Sequence, residues 1–207
     1  MNPLLLAAML AAAPPPIEKS RTVPAGPGEV YEAFTTLEGV KGFFAPEAKL
    51  ELKPGGAYEM YFVPTLPPGM KGGEGCQLVS FEPGKQVVFS WNFPPSLPGL
   101  RDAKAQTLVT VELSAEGKGT KVRLTQSGFK EGADWEQGRV YFDRAWGMVL
   151  ARLERRFRRG PIDWRYGWAP AGFDELKWMH GHWRTPWHDE TWSASPAGLI
   201  GMYRDDA

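Results

Sequence analysis

An α+β fold, an antiparallel sheet covered by one long helix, is predicted by three features of the 207-residue chain. Residues 17–127 carry short segments with period-two alternation of apolar side chains, separated by Pro/Gly turns. From residue 135 the apolar period changes to about 3.6. Two short helical patterns precede most of the strands, so helices and strands are segregated along the chain instead of alternating as βαβ units. A sheet with one apolar face needs a cover, and the final helix can supply it.

Each element follows from local chemistry. After Pro14-Pro15-Pro16, residues 17–23 can form a strand. Pro27 suits a first helical turn, and Val30, Ala33, Phe34 and Leu37 then recur at helical spacing. Gly39 and Gly42 interrupt that pattern, and Phe43-Phe44 read as a second short helical turn. Strands are expected at 48–52, 57–63, 76–81, 86–93, 106–114 and 120–127. The turns between them are rich in residues that fix or free the backbone, such as Pro54-Gly55-Gly56, Glu82-Pro83-Gly84 and Glu116-Gly117. Residues 64–75 and 94–105 read as Pro-rich and Gly-rich loops. Phe142, Trp146, Val149, Leu150, Leu153 and Phe157 form one apolar stripe on the last helix, with Asp134 as its N-cap and Gly160-Pro161 as its stop.

Composition removes several functional classes. Lys+Arg and Asp+Glu both number 24, and such a balance argues against a dedicated nucleic-acid binder. One cysteine, Cys76, excludes an internal disulfide framework and a cysteine-based zinc cluster. No apolar run reaches the roughly 20 residues of a membrane span. The glycines of 69–75 lack the strand–glycine–helix context of a phosphate loop. Trp164, Trp168, Trp178, Trp183, Trp187 and Trp192 lie beyond residue 160 together with His180, His182 and His188. The chain therefore divides into two unlike parts. Residues 4–13 (LLLAAMLAAA) have the length and composition of a signal peptide's apolar region, although no Lys or Arg precedes them and Pro14 follows the obvious cleavage point. The expectation is a leader over 1–16 and a periplasmic or secreted protein, with a cytoplasmic location as the alternative.

The segments EVYEAFTT (29–36), LKPGGAYEMYF (52–62) and GCQLVSFEPGKQVVFSW (75–91), the aromatic pair before Ala45-Pro46 and the final helix resemble the START-like (SRPBCC) superfamily. Within it they are most similar to the branch named after the C-terminal domain of the activator of the heat-shock-ninety ATPase. The resemblance covers about 17–159 and implies a helix-grip fold, with a curved sheet around the long helix and a cavity between them. Many members of the branch carry Trp where this chain has Phe43. The tail FDELKWMHGHWRTPWHDETWSASPAGLIGMYR (173–204) faintly resembles the opening of an uncharacterised bacterial lipocalin-like family. Too few residues remain there for a closed barrel. The organisation expected is a leader (1–16), a START-like domain (17–160), a linker (161–172) and a truncated lipocalin-like segment (173–207).

No catalytic constellation is evident, and no cofactor is expected. Residues 17–160 contain no histidine, which removes Ser-His-Asp and Cys-His chemistry from that domain. Cys76 reads as a buried, inert thiol. Tyr58, Met60, Phe62, Phe89, Trp91 and Phe93 share inward strand parity, and the implied fold places Phe43, Phe44, Phe142 and Trp146 opposite them. Plain core packing explains each residue singly; together they are candidates for the lining of an apolar ligand cavity. The partner expected is an apolar or aromatic small molecule. The alternatives are a co-chaperone-type interaction domain, or a cavity enzyme such as a hydrolase or cyclase. Glu59, Tyr61 and Glu112 could serve such an enzyme, but their parity points them away from the cavity. Arg152, Arg155, Arg156, Arg158 and Arg159 read as a solvated helix end that complements the helix dipole. His180 and His182 share a strand face and are weak metal candidates, since their spacing matches no established metal motif. Sequence alone does not indicate an oligomeric state.

Overall fold

The computed structural model of the chain describes residues 14–164, together with the backbone of 181–184, 188–195 and 198–205. Two compact units result, 1–167 and 168–207. The first runs β1 (Ile17–Val23), α1 (Pro27–Thr35), α2 (Leu37–Lys41), β2 (Glu47–Leu50), β3 (Tyr58–Tyr61), β4 (Leu78–Glu82), β5 (Gln86–Asn92), α3 (Pro98–Asp102), β6 (Gln106–Glu116), β7 (Gly119–Ser127) and α4 (Ala133–Arg159). Five strands form an antiparallel sheet in the order β1-β7-β6-β5-β4, and β2 pairs with β3. The second unit contains a separate antiparallel sheet, order β10-β9-β8, made of β8 (Gly181–Arg184), β9 (His188–Ser195) and β10 (Gly198–Asp205). Residues 1–13 of the leader expected over 1–16, the segment 165–180 and the side chains of the tail, His180 and His182 included, lie outside the described residues.

Strand alternation builds the sheet's inner face. Along β6 the buried row is Thr107, Val109, Val111 and Leu113; along β7 it is Thr120, Val122, Leu124 and Gln126. Phe142, Trp146, Val149, Leu150 and Leu153 of α4 are buried as well and join these rows in one apolar core. Spacings of three and four residues keep them on one side of the helix. Asp134 and Glu136 lie in the first turn of α4, and Arg156, Arg158 and Arg159 in its last. Both groups complement the helix dipole.

Several local expectations are corrected. The second helix is Leu37–Lys41, and Phe43-Phe44 follow it in a turn. Gly39 lies inside that helix: a Cβ there would stand 2.3 Å from the Glu32 carbonyl oxygen, so only glycine lets α2 pack this closely on α1. Asp134 is not the N-cap of α4; Gly132 is, at φ 127°, a conformation open mainly to glycine. The strand expected over 57–63 ends at Tyr61, because the backbone N–H of Phe62 turns to the Lys71 carbonyl at 2.8 Å. Within the loop expected over 94–105, Pro98 opens the short helix α3, a position where its missing N–H costs nothing. The arginines at the end of α4 are not all solvated. Arg158 and Arg159 are exposed, but Arg156 is half-buried and donates to the Glu38 and Gly39 carbonyls.

Gly138 shows how closely α4 is seated. A Cβ at this position would meet the Phe93 ring at 2.5 Å. That ring is held edge-on to Trp135 at 5.0 Å and tilted against Phe142 at 5.5 Å, so it has no room to yield. A helical Gly→Ala change ordinarily gains about 0.5–1 kcal/mol. Gly138→Ala should instead lose about 1–2 kcal/mol in urea unfolding, because overpacking a fixed core dominates. A gain in stability would contradict this packing.

Candidate functional site

The aromatic side chains of the core converge on one groove. Phe44, directly after α2, stacks on Trp91 of β5 with centroids 5.5 Å apart and planes at 19°. Trp146 of α4 lies 5.3 Å from Trp91 and 5.9 Å from Phe44. These three rings form the floor of a groove of about 320 Å³, at the lower end of the usual range of about 300–1,000 Å³ for ligand sites. The walls come from the 62–72 segment (Phe62, Val63, Leu66, Met70), from Pro94 and Pro95, and from one face of α4 (Tyr141, Ala145, Met148, Val149). Two other depressions, about 720 Å³ beside Leu37, Lys41 and Asp163 and about 490 Å³ beside Glu82, Glu112 and Arg123, have lining of mixed charge.

A buried polar chain fixes the floor. The Trp146 indole N–H donates to Gln126 Oε1 at 2.6 Å, Gln126 Nε2 donates to Thr107 Oγ1 at 2.7 Å, and the Thr107 hydroxyl donates to the Trp91 carbonyl at 3.0 Å. Gln126 is completely buried, and Trp146, Thr107 and Trp91 nearly so. An indole N–H can only donate, so the amide orientation of Gln126 is determined and every polar group in the chain is matched.

A second set of contacts holds the wall. Arg101 of α3 pairs with Glu74 at 2.8 Å, and both side chains are largely buried. The Arg101 guanidinium also donates to the carbonyls of Gly69, Gly72 and Phe93. The Glu74 carboxylate accepts from the backbone N–H groups of Lys71 at 2.9 Å and Gly72 at 3.2 Å. The planar fork of arginine suits such multiple acceptors. The loop carrying Met70 and Lys71 is thereby tied to the end of β5.

Of the residues singled out from the sequence, Phe44, Phe62, Trp91, Phe142 and Trp146 line the groove. Phe43, Tyr58, Met60, Phe89 and Phe93 are fully buried outside that lining. Tyr58 stacks on Phe89 at 4.5 Å and donates its hydroxyl to the Phe34 carbonyl at 2.9 Å; burial pushes this hydroxyl's pKa well above the ordinary phenolic value. Tyr61, half-buried, donates to Glu59, and its pKa is pushed up to about 12, by burial first and by the carboxylate second. Glu59 and Tyr61 are absent from the groove lining, and Glu112 lies at the mixed-charge depression on β6. Burial pushes the Cys76 thiol up to about 12, so it is protonated at neutral pH. Among the described residues no His/Cys/Asp/Glu group is placed to hold a metal ion, and no helix is long and apolar enough to cross a membrane.

Sequence reading missed Val63, Leu66, Met70, Lys71, Tyr141, Ala145, Met148 and Arg152 as lining residues. For those on α4 a signal exists: Tyr141, Ala145 and Met148 run beside Phe142, Trp146 and Val149, and so widen the apolar stripe. The loop residues obey no period.

The family described as Activator of Hsp90 ATPase homolog 1-like protein has a sequence model that matches residues 24–158. Protein MLL2253 from Mesorhizobium loti has a similar fold, with TM-score 0.57 and 19% identity over 71% of this chain and 99% of that one. The Aha1 dimer from Colwellia psychrerythraea gives TM-score 0.54 and 21% identity, over 70% and 97%. Protein BH1534 from Bacillus halodurans gives 0.52 and 23%, over 71% and 99%. No curated protein matches the sequence significantly.

If Gln126 joins α4 to the sheet, Gln126→Leu should cost about 1–3 kcal/mol, the penalty for stranding buried donors. Combined with Trp146→Phe, it should cost less than the sum of the two single changes, because each variant already breaks the same bond. Strict additivity in urea unfolding would contradict the coupling.

Proposed function

Because the chain belongs to the family of activator of Hsp90 ATPase homolog 1-like proteins, we propose that it binds an apolar or aromatic small molecule in this groove, as a binding or carrier protein. One observation carries the reading. Of the eleven large hydrophobic residues exposed among the described residues, six (Phe62, Val63, Leu66, Met70, Tyr141 and Met148) border this one opening. Scattered surface apolar residues need no explanation, whereas a contiguous patch around a concavity marks a binding surface. Phe44, Trp91 and Trp146 are buried beneath these side chains and give the opening a rigid aromatic base. Met70 and Met148 have unbranched side chains that adapt to an occupant's shape.

The chemistry of the lining favours binding over turnover. Among the described residues the lining contains no carboxylate, histidine or cysteine to act as general acid, base or nucleophile. Glu59 and Tyr61, the pair an enzyme reading would use, are committed to each other outside it. A co-chaperone reading rests on the family's name, and no particular surface supports it.

Uncharged N-phenylnaphthylamine, which brightens in apolar surroundings, provides the test. One equivalent should bind with micromolar affinity or better. Ala145→Phe, which inserts a ring into the helix wall of the groove, should weaken that binding at least about tenfold while leaving the unfolding free energy in urea within about 1 kcal/mol of the parent. Failure of the probe to bind, or full binding in the Ala145→Phe variant, would sink the reading.

A further inference from the structure

Beyond α4 the chain continues to pack. Gly160 turns it at φ 91°, and residues 161–164 run against α2. The Ile162 side chain is buried, and its backbone N–H donates to the Gly42 carbonyl at 2.9 Å. The Trp164 indole N–H donates to the Lys41 carbonyl at 2.5 Å. Arg156, in the last turn of α4, donates to the carbonyls of Glu38 and Gly39. The fit is close, because a Cβ on Gly42 would stand 1.8 Å from the Arg156 guanidinium. The family model ends at residue 158, so Ile162 and Trp164 lie beyond the part of the chain that it matches.

These contacts answer a need of α2. A helix of five residues is too short to hold itself together, and its last carbonyls have no partners within it. The Val40 carbonyl is taken inside the turn, by the backbone N–H of Phe44 at 2.7 Å. Those of Lys41 and Gly42 receive their donors from Trp164 and Ile162. Phe44, part of the groove floor, comes two residues after Gly42. Arg152 makes a second link: it lines the groove, and its guanidinium stands 5.4 Å from the Trp164 ring centroid, within cation–π range. Trp164 thus meets both a wall residue of the groove and the backbone that leads to its floor, without being part of the lining itself.

We propose that residues 161–164 are a strap that seats the groove floor, with Trp164 and Ile162 as positioning residues that act on Phe44 through the Lys41 and Gly42 carbonyls. A floor held in one place binds without first having to be ordered, and apparent affinity falls in proportion to the fraction of molecules in which it is seated. The way the chain leaves α4 therefore sets the affinity of a groove that the strap does not touch. The inference rests on the apolar-groove reading for its ligand and adds to it what controls the site.

The test uses the full chain, N-phenylnaphthylamine and the Trp91 indole N–H signal in heteronuclear NMR. Phe44 stacks on Trp91 at 5.5 Å, so loss of its seating moves that signal even without ligand. Trp164→Ala should weaken probe binding about fivefold and shift the unligated Trp91 signal. Gly42→Ala, which drives Arg156 from its place against α2, should act in the same direction and gives a second route to the same loss. Thr120→Val is the control: it removes a buried hydrogen bond to the Ala25 carbonyl at 2.7 Å, outside the groove lining, and should leave both readouts at their parental values. Parental affinity with an unmoved Trp91 signal in Trp164→Ala, or an equal loss in Thr120→Val, would overturn the strap's role while leaving the apolar groove intact. Failure of the probe to bind the parent protein would overturn the ligand reading, and the unligated Trp91 signal would then decide the strap alone.

Discussion

The indole N–H of Trp146 is a donor carried into the middle of an apolar core, and it must find an acceptor there. Gln126 supplies it from the inner face of β7, and Thr107 on β6 then passes the polarity on to the Trp91 carbonyl on β5. Hydrophobic burial is non-directional and does not by itself orient the Trp146 ring. A matched polar chain allows one arrangement, since any shift strands several buried groups at once. The groove inherits its geometry from this constraint: the chain sets the angle of Trp146, and Trp146, Trp91 and Phe44 are the floor.

The wall is built on a different principle. A loop of Pro and Gly residues has little core of its own, and the loop over 62–75 is held by charge and backbone bonds, with Arg101 and Glu74 at the centre. A buried ion pair of this kind earns little net stability, because both ions lose their hydration. Its effect is to fix the loop in one place. Apolar side chains that would otherwise have to find cover, such as Leu66 and Met70, can then stay exposed around the opening.

Much of the domain is legible in the sequence because its periods are clean. Strand parity puts Tyr58, Met60, Phe89 and Trp91 on the inner face, and helical spacing puts Phe142 and Trp146 on the face of α4 that joins them. The same parity includes Phe62, which the structure leaves 39% exposed because the strand turns away one residue earlier. Lys71 and Met70 could not be placed from the sequence: their positions depend on the Arg101–Glu74 pair, whose partners are 27 residues apart and follow no pattern. Short α3 was hidden for a related reason. Proline signals either a loop or a first helical turn, and Leu97 and Leu100, buried on either side of Pro98, decide between them only once the fold exists.

An apolar ligand in the groove would lie against Trp91 and Trp146 and away from Trp135, which is not part of the groove lining and packs on Phe93. Heteronuclear NMR of the indole N–H groups, assigned by single Trp→Phe variants, measures this directly during titration with N-phenylnaphthylamine. The Trp91 and Trp146 signals should shift in proportion to occupancy while that of Trp135 stays in place. Saturable binding that moves Trp135 and leaves Trp91 and Trp146 unchanged would contradict the account.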